Sequence, residues 1–253
     1  MKSVSFIFLA AVAWGNCVMS FDAPCPSVSG MASGEDLLWL LDPLNDVVYG
    51  METVIPQATI VKIINVPFDN PDNLAYAEGK LYLTDGNSTV IHSVTVDGEV
   101  WSSMDVGGMG IQSIEDLGYE AHSYGSNRCM FVLDSTQNIV FNLYPLDTFA
   151  NIEICTSVAD APQCYGIAGC GEIQGVWIAC GSENPNLQLW YEGNFNWEVS
   201  IAGANMVTEI AQDATMMPQE FMWAYCQTFN TVFLEYYGMA LERSTWGEIK
   251  ASL

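Results

Sequence analysis

The stretch Leu38-Trp39-Leu40-Leu41-Asp42 is the first of five related apolar runs along this chain. The other runs share its pattern and begin at Leu81, Met130, Val176 and Met222. Successive starts lie 43, 49, 46 and 46 residues apart, and the second position of each run is aromatic: Trp39, Tyr82, Phe131, Trp177 and Trp223. A repeat of this length made of short apolar runs is typical of a β-propeller, in which every repeat folds as one blade.

Further strand signals surround each run. A second run, rich in β-branched and aromatic residues, follows across a polar turn such as Asp85-Gly86-Asn87-Ser88. A run with small residues precedes it, as in Asn73-Leu74-Ala75-Tyr76, and small side chains suit the crowded innermost strand of a blade. The sequence therefore predicts an all-β, five-bladed β-propeller with four short strands and about 46 residues per blade. Its approximate blades are residues 26–68, 69–111, 112–160, 161–206 and 207–253.

One blade carries a family resemblance. The stretch from Pro71 to Asp85, PDNLAYAEGKLYLTD, resembles an NHL-type propeller repeat, with a proline, a small apolar strand, a glycine turn and an apolar strand ending in aspartate. The gluconolactonase-like propellers share this arrangement. In those proteins a metal ion held by Glu, Asn and Asp side chains polarises a lactone or ester, and the resemblance implies Asn73, Asp116 and Glu209 as the matching ligand set.

The first twenty residues have the features of a secretory signal peptide. A charged start, Met1-Lys2-Ser3, precedes an apolar segment from Val4 to Trp14 that is too short to span a bilayer. Cleavage is expected after Gly15 or after Ser20, which leaves a single domain over residues 21–253 in the second case. The alternative is that this segment forms an N-terminal strand. We expect a secreted protein, or a periplasmic one in a bacterium, without a membrane span.

The chain contains eight cysteines, which fits an oxidising compartment. Two disulfide pairs are candidates, although spacing alone does not assign connectivity. Cys170 and Cys180 flank a predicted hairpin turn, and Cys155 and Cys164 could close the link between the third and fourth blades. A structural zinc site is disfavoured, because the sequence has only two histidines and no Cys-x-x-Cys pair.

The charge of the chain limits its partners. Its formal net charge is −24, with only six lysines and arginines. Such a surface repels phosphate backbones and anionic membranes, so nucleic acid is excluded as a partner. Cations, basic proteins and neutral sugars fit better, and adaptation to salty surroundings or simple solubility also explains the acidity. The sequon Asn87-Ser88-Thr89 predicts an N-linked glycan at Asn87 if the source is eukaryotic.

Acidic and amide side chains are predicted at one mouth of the central channel. Alignment of the innermost strands places Asn73, Asp116 and Glu209 in this ring, with Asp72, Glu115 and Asp213 nearby. Oxygen ligands that converge from different blades could hold calcium or another divalent cation, whereas the alternative is that they are simply hydrated. The aspartates that close the repeated strands, Asp42, Asp85 and Asp134, are expected to accept hydrogen bonds from their own turns.

No catalytic constellation stands out in the sequence. The two histidines, His92 and His122, have no Gly-x-Ser-x-Gly elbow or phosphate loop to accompany them. The repeat-position aromatics are expected to pack between blades, while Tyr76, Tyr119, Trp197 and Trp246 could stack on sugar rings. We therefore expect a non-catalytic extracellular module that binds a glycan or a protein. The alternatives are a metal-dependent lactonase or esterase-like hydrolase and a structural component of a matrix or surface layer.

Overall fold

The computed structural model describes residues 17–55, 57–86, 88–120, 129–161, 163–170, 175–181, 187–191, 194–199, 201, 206–212 and 221–236. Within these ranges the chain forms five separate four-stranded antiparallel sheets and one short 3-10 helix, Gly107–Met109. The sheets are the blades of a five-bladed β-propeller, as the sequence repeat predicts. No helix in the described part of the chain is long and apolar enough to cross a membrane.

The strands are numbered in chain order, and four of the blades each use four consecutive strands. Blade 1 contains β2 (Met31–Gly34), β3 (Leu37–Asp42), β4 (Val47–Val54) and β5 (Gln57–Asn65). Blade 2 contains β6 (Pro71–Ala77), β7 (Lys80–Asp85), β8 (Val90–Thr95) and β9 (Val100–Asp105). Blade 3 contains β10 (Asp116–Glu120), β11 (Cys129–Asp134), β12 (Ile139–Tyr144) and β13 (Asn151–Ser157). Blade 4 contains β14 (Gly166–Cys170), β15 (Gly175–Ala179), β16 (Leu187–Tyr191) and β17 (Asn194–Val199).

Blade 5 joins the two ends of the chain. It contains β18 (Val207–Gln212), β19 (Phe221–Cys226), β20 (Thr231–Tyr236) and, as its outermost strand, the N-terminal β1 (Cys17–Asp22). The sequence placed the fifth blade at about residues 207–253 and left open whether N- and C-terminal strands pair to close the ring; the structure shows that they do. The β1 strand pairs antiparallel with β20, and this pairing closes the ring without leaving the last blade short of a strand.

The aromatic residue of each repeat packs in the core, as predicted. Trp39, Tyr82, Phe131, Trp177 and Trp223 are all at most 2% exposed, and each belongs to one of the apolar clusters that fill the propeller. Trp39 stacks on Tyr76 of blade 2, with ring centroids 6.1 Å apart and ring planes 7° apart. One face of Tyr76 is therefore used for packing between blades and is not free to stack on a sugar.

The outermost strand of every blade contains a β-bulge. A register shift interrupts the pairing of β5 with β4, β9 with β8, β13 with β12, β17 with β16 and β1 with β20. The register shifts skip Val61, Trp101, Cys155, Asn196 and Val18. A bulge bends the strand and interrupts its row of free backbone groups, which is a common protection of exposed sheet edges.

Two of the strand-closing aspartates accept hydrogen bonds from their own turns, which confirms that prediction for them. Asp42 accepts from the backbone N–H groups of Leu44 (3.0 Å) and Asn45 (3.2 Å). Asp134 accepts from the backbone of Gln137 at 3.0 Å and also from Gln112 at 2.7 Å in the linker that leads into blade 3. These donors hold the pKa of Asp134 below its usual value even though burial opposes this.

The register of blade 4 separates one of the predicted disulfide pairs. Cys170 lies opposite Gly175, whereas Ala179, the residue before Cys180, lies opposite Gly166. Cys170 and Cys180 are thus at opposite ends of this hairpin and do not face each other, and a disulfide needs Cα atoms within about 7 Å. Cys155 and Cys164 pack in the same apolar cluster between blades 3 and 4. No disulfide bond joins the cysteines whose side chains the structure describes.

Candidate functional site at one end of the channel

The five innermost strands surround the central channel. Each contacts the next around the ring, in the order β2, β6, β10, β14, β18 and back to β2. The first residues of these strands form one end of the channel, as contacts between neighbouring blades show. The backbone N–H of Asn73 donates to the carbonyl of Ser29 at 3.0 Å, and the N–H of Ile167 donates to Asp116 Oδ2 at 2.6 Å. We call this region the acidic channel end.

Close backbone contact between blades 4 and 5 requires a glycine here. A Cβ atom added to Gly166 would lie 2.4 Å from the carbonyl oxygen of Thr208, which is closer than real Cβ contacts allow. This explains why blade 4 contributes no side chain at the position where blades 3 and 5 contribute Asp116 and Glu209. The ring of polar side chains is therefore interrupted at blade 4 for a steric reason.

Asn73 holds two blades together. It lies in a bulge of β6 with a φ of 54°, and its side chain is 3% exposed. Its Nδ2 donates to Thr84 Oγ1 at 2.9 Å and to the carbonyl of Ile114 at 3.4 Å. The amide nitrogen is thus occupied in fixing the linker between blades 2 and 3, and this gives Asn73 a structural role at the mouth.

Asp116 is a buried carboxylate with one unpartnered oxygen. Its side chain is 2% exposed, and Oδ1 has no hydrogen-bond donor among the described residues. Burial raises the pKa of Asp116 well above its usual range, and the charges of Asp72 and Glu115 raise it further. The N–H groups of Ile167 and Leu117 oppose this shift because they stabilise the ionised form.

Glu209 completes a group of four interacting acids. Burial raises its pKa well above the usual range, and the charges of Asp116, Asp72 and Glu115 add to this effect in that order. Burial also raises the pKa of Asp72. The structure therefore brings together Asp72, Asp116 and Glu209 from blades 2, 3 and 5, close enough for their charges to interact, with Glu115 beside them.

Thr208 belongs to the same region and was not identified from the sequence. It is the residue skipped by a register shift in β18, between Val207 opposite Cys226 and Glu209 opposite Tyr225. Its hydroxyl oxygen is buried and lacks a hydrogen-bond partner among the described residues. A polar β-branched residue directly before Glu209 was the available signal, but only the bulge reveals that it stands out of register.

The described basic residues lie away from these acids. Lys62, on the outermost strand of blade 1, forms an ion pair with Asp97 at 3.4 Å. Lys80, in blade 2, places its ammonium group 4.9 Å from the centroid of the Trp101 ring. Neither described lysine therefore compensates the charge at the acidic channel end, and the other four basic residues of the chain lie outside the described ranges.

The acids do not form a preformed metal cage. Among the residues that the structure describes, no group of three or more His, Cys, Asp and Glu side chains is placed to hold a metal ion. Asp116 and Glu209 of the ligand set implied by the family resemblance lie close enough for their charges to interact, and Asn73 would bind a metal through its amide oxygen and not through the engaged nitrogen. Asp213, Asn87, His122 and Trp246 lie outside the described residues, as does the side chain of Trp197.

His92 lies in a different place, on the outer half of blade 2. Its Nδ1 is 2.7 Å from the hydroxyl of Ser103, and its ring stacks on Phe68 with centroids 4.2 Å apart. Burial lowers the pKa of His92, although Asp85 opposes the shift. This shift favours the neutral imidazole, and the histidine belongs to a cross-strand contact away from the channel.

Comparison with known proteins identifies the fold. No protein-family model and no curated protein sequence matches the chain. The regucalcin structure from Agrobacterium tumefaciens, described as a calcium-binding protein, is 13% identical, with 88% of this chain and 93% of that chain covered and a TM-score of 0.54. A nidogen/laminin complex gives 10% identity, 84% and 76% coverage and a TM-score of 0.55.

A third solved structure is a lyase. The virginiamycin B lyase of Staphylococcus aureus is 10% identical, with 85% of this chain and 98% of that chain covered and a TM-score of 0.50. Identities this low show a shared fold and not a shared activity. The chain is thus similar in fold to the NHL and gluconolactonase-like β-propellers.

Proposed function

We propose that this protein is a non-catalytic extracellular binding module that holds a cationic group of its ligand at the acidic channel end. The ligand is a protein or a glycan, and a lysine or arginine side chain or an amino sugar would supply the charge. The observation that carries this proposal is the buried carboxylate of Asp116, whose Oδ1 lacks a donor within the described part of the chain.

A bound cation would remove an electrostatic cost. Ionised carboxylates are destabilising in a desolvated site unless an opposite charge or hydrogen-bond donors compensate them. Asp116 and Glu209 interact unfavourably with each other and with Asp72, and the described lysines are engaged elsewhere. Protons and cations would therefore compete for this region. The net charge of −24 would also attract cationic ligands over a distance of about a Debye length, roughly 8–10 Å at physiological salt.

Calorimetric titration with small probes tests this proposal. We would titrate the protein with Nα-acetyl-lysine amide, glucosamine, neutral glucose and calcium chloride. We expect a cationic organic probe to bind, and Asp116→Asn to weaken that binding about tenfold, since charged contacts in desolvated sites contribute more than about 1.4 kcal/mol. Asparagine still accepts from the Ile167 N–H, so the link between blades is kept.

An exposed acid provides the matched control. Asp36 lies in the turn between β2 and β3, and Asp36→Asn removes the same charge from an exposed position. If this variant weakens binding as much as Asp116→Asn does, the attraction comes from net charge and not from the acidic channel end. Equal binding of glucose and glucosamine would likewise contradict a cationic subsite.

A metal-dependent lactonase or esterase-like hydrolase is the second candidate. It is favoured by the convergence of Asp72, Asp116 and Glu209 from three blades. The test is hydrolysis of a panel of lactones and aryl esters by chelator-treated protein, with and without added calcium, manganese or zinc. Turnover that requires a metal and is lost in Asp116→Asn would replace the binding module by an enzyme.

A further inference from the structure

Two cysteines face each other where the first two strands of blade 4 meet the channel end. Gly166 at the start of β14 pairs with Ala179 at the end of β15, and the backbone N–H of Tyr165 also donates to the carbonyl of Ala179 at 3.0 Å. Two residues of one segment thus oppose a single residue of the other, as in a β-bulge. The next residue outward on each side is a cysteine, so Cys164 lies opposite Cys180.

Both cysteine side chains are buried in the same apolar interface. Cys164 is 9% exposed and Cys180 is 1% exposed, and both belong to the cluster between blades 3 and 4. Ala179 belongs instead to the cluster between blades 4 and 5, because successive side chains of a strand point to opposite faces. Residues that lie opposite each other in an antiparallel pair have Cα atoms about 4.5–5.5 Å apart, which is within the range that a disulfide bridges.

Blade 3 shows what the residue at the position of Cys180 does in another repeat. Asp134 ends the equivalent strand, and it accepts hydrogen bonds from the backbone N–H of Gln112 at 2.7 Å and from the hydroxyl of Ser113 at 3.0 Å. These bonds fasten the linker that enters blade 3 to the second strand of that blade. A thiol is only a weak acceptor, so Cys180 cannot replace these bonds. A covalent bond to Cys164 would fasten the linker that enters blade 4 in their place.

We propose that Cys164 and Cys180 form a disulfide bond in the oxidised protein, and that this bond fixes the start of blade 4 at the acidic channel end. As the S–S bond forms, the two thiols lose two electrons and two protons, and a small-molecule disulfide such as oxidised glutathione takes them up and becomes two thiols. Ile167, close after Cys164 in the chain, donates to Asp116 at 2.6 Å, so the bond also holds this donor in place. The disulfide does not depend on which ligand the acidic channel end binds.

The bond is expected to form during folding. Burial raises the pKa of the Cys164 thiol to about 11, and the charge of Glu115 adds to this effect. The thiolate is the form that attacks a disulfide, so the packed cysteine reacts slowly, whereas the unfolded chain exposes an ordinary thiol. Reduced protein should therefore acquire the bond when it refolds in a glutathione buffer at about pH 8, and much more slowly when it is already folded.

Peptide mapping after refolding tests this inference. Unfolded, reduced protein is refolded with reduced and oxidised glutathione, its remaining thiols are alkylated, and it is cut before aspartates and after aromatic residues. These cuts leave Cys164 as the only cysteine of the peptide 160–165 and Cys180 as the only cysteine of the peptide 178–190. We expect the two peptides to be joined and to separate on reduction. Protein oxidised in urea is the control, because its cysteines pair without the guidance of the fold.

Thermal melting gives a second readout. Reductant should lower the melting temperature of the oxidised protein by roughly 5–10 °C more than it lowers that of Cys164→Ala, because the closed loop constrains the unfolded chain. Cys129→Ala is the matched control. Cys129 is a buried cysteine of the same cluster, but it lies opposite Glu120 at the other end of its blade, so this variant should respond to reductant as the unaltered protein does.

Three results would overturn the inference. They are recovery of Cys180 as an alkylated thiol after refolding, a map in which Cys164 or Cys180 is joined to a different cysteine such as Cys155 or Cys170, and an equal response to reductant in Cys164→Ala and the unaltered protein. If Cys164→Ala does not fold, Cys164→Ser replaces it in the melting experiment. The peptide map uses only unaltered protein and decides the pairing by itself.

Discussion

Asp116, Glu209 and Glu235 are acidic side chains buried in a mostly apolar interior. Each of them has its pKa raised first of all by burial, and neither described lysine is paired with any of them. The folded protein therefore holds protons on these groups at pH values where the unfolded chain has lost them. The contribution of these groups to the free energy of unfolding therefore falls as the pH rises.

Glu235 gives a defined pH range in which this fall in stability can be tested. Burial raises its pKa from 4.5 to about 7. The stability that its protonated form contributes is fully present below about pH 4.5 and is lost as the pH rises through about 7, a difference of about 3 kcal/mol. We expect Glu235→Gln to flatten the fall in the free energy of unfolding over this range. Urea denaturation at a series of pH values measures it, and an unchanged slope in the variant would contradict the assignment.

Glu209, at the acidic channel end, should also make the folded protein less stable as the pH rises. Glu209→Gln removes a buried charge that Asp116 and Asp72 repel. We expect a higher melting temperature than the unaltered protein at about pH 8, by roughly 2–4 °C for each kcal/mol gained. Below the unfolded pKa of glutamate the two proteins should differ little, because both are then uncharged at this position. Calorimetric melting at both pH values tests this, and destabilisation at about pH 8 would show that a compensating charge is already present.

At the scale of the element, β1 decides whether the ring closes. It supplies the fourth strand of blade 5, and its Met19 and Phe21 are buried in the cluster that also contains Trp223. Phe21 meets the Trp223 ring edge-on, with centroids 6.1 Å apart. The two expected signal cleavage positions therefore have different consequences, since cleavage after Ser20 would remove most of this strand.

We predict that the mature protein begins at Asn16 and that a form beginning at Phe21 is much less stable. The shorter form loses the pairing of Cys17–Ser20 with β20 and the buried side chain of Met19, and removal of one such side chain costs about 2–5 kcal/mol. Mass spectrometry of secreted protein gives the N-terminus, and urea denaturation compares the two forms. Equal stability of both would show that the ring closes without β1.

Local sequence signals predicted four of the five blades well. Trp39 and its four counterparts mark buried strands because a regular spacing of apolar runs reports local structure directly. The pairing of β1 with β20 could not be predicted in this way, because it joins residues more than two hundred positions apart. The bulges at Asn73 and Thr208 could not be predicted for a similar reason, because register depends on the partner strand. The same register information separates Cys170 from Cys180.

At the scale of the whole molecule, the net charge of −24 acts against the compact state. Like charges on the surface repel, and salt screens this repulsion without any specific binding. The acidic channel end adds a local repulsion between carboxylates. Dissolved salt screens this repulsion only weakly, because Asp116 and Glu209 are buried. A measurement that holds ionic strength constant separates the two effects.

We predict that calcium chloride raises the melting temperature more than sodium chloride does at equal ionic strength, if the acidic channel end accepts a divalent ion. A cation that binds the folded state alone stabilises it by about 2.7 kcal/mol at one hundred times its dissociation constant. In Asp116→Asn this excess over sodium chloride should disappear, whereas in Asp36→Asn, whose acid is exposed, it should remain. No excess in the unaltered protein would exclude a divalent ion at this mouth under those conditions. The organic cations of the binding proposal would then be the ligands to pursue, because a singly charged group does not need several carboxylates at one point as a divalent ion does.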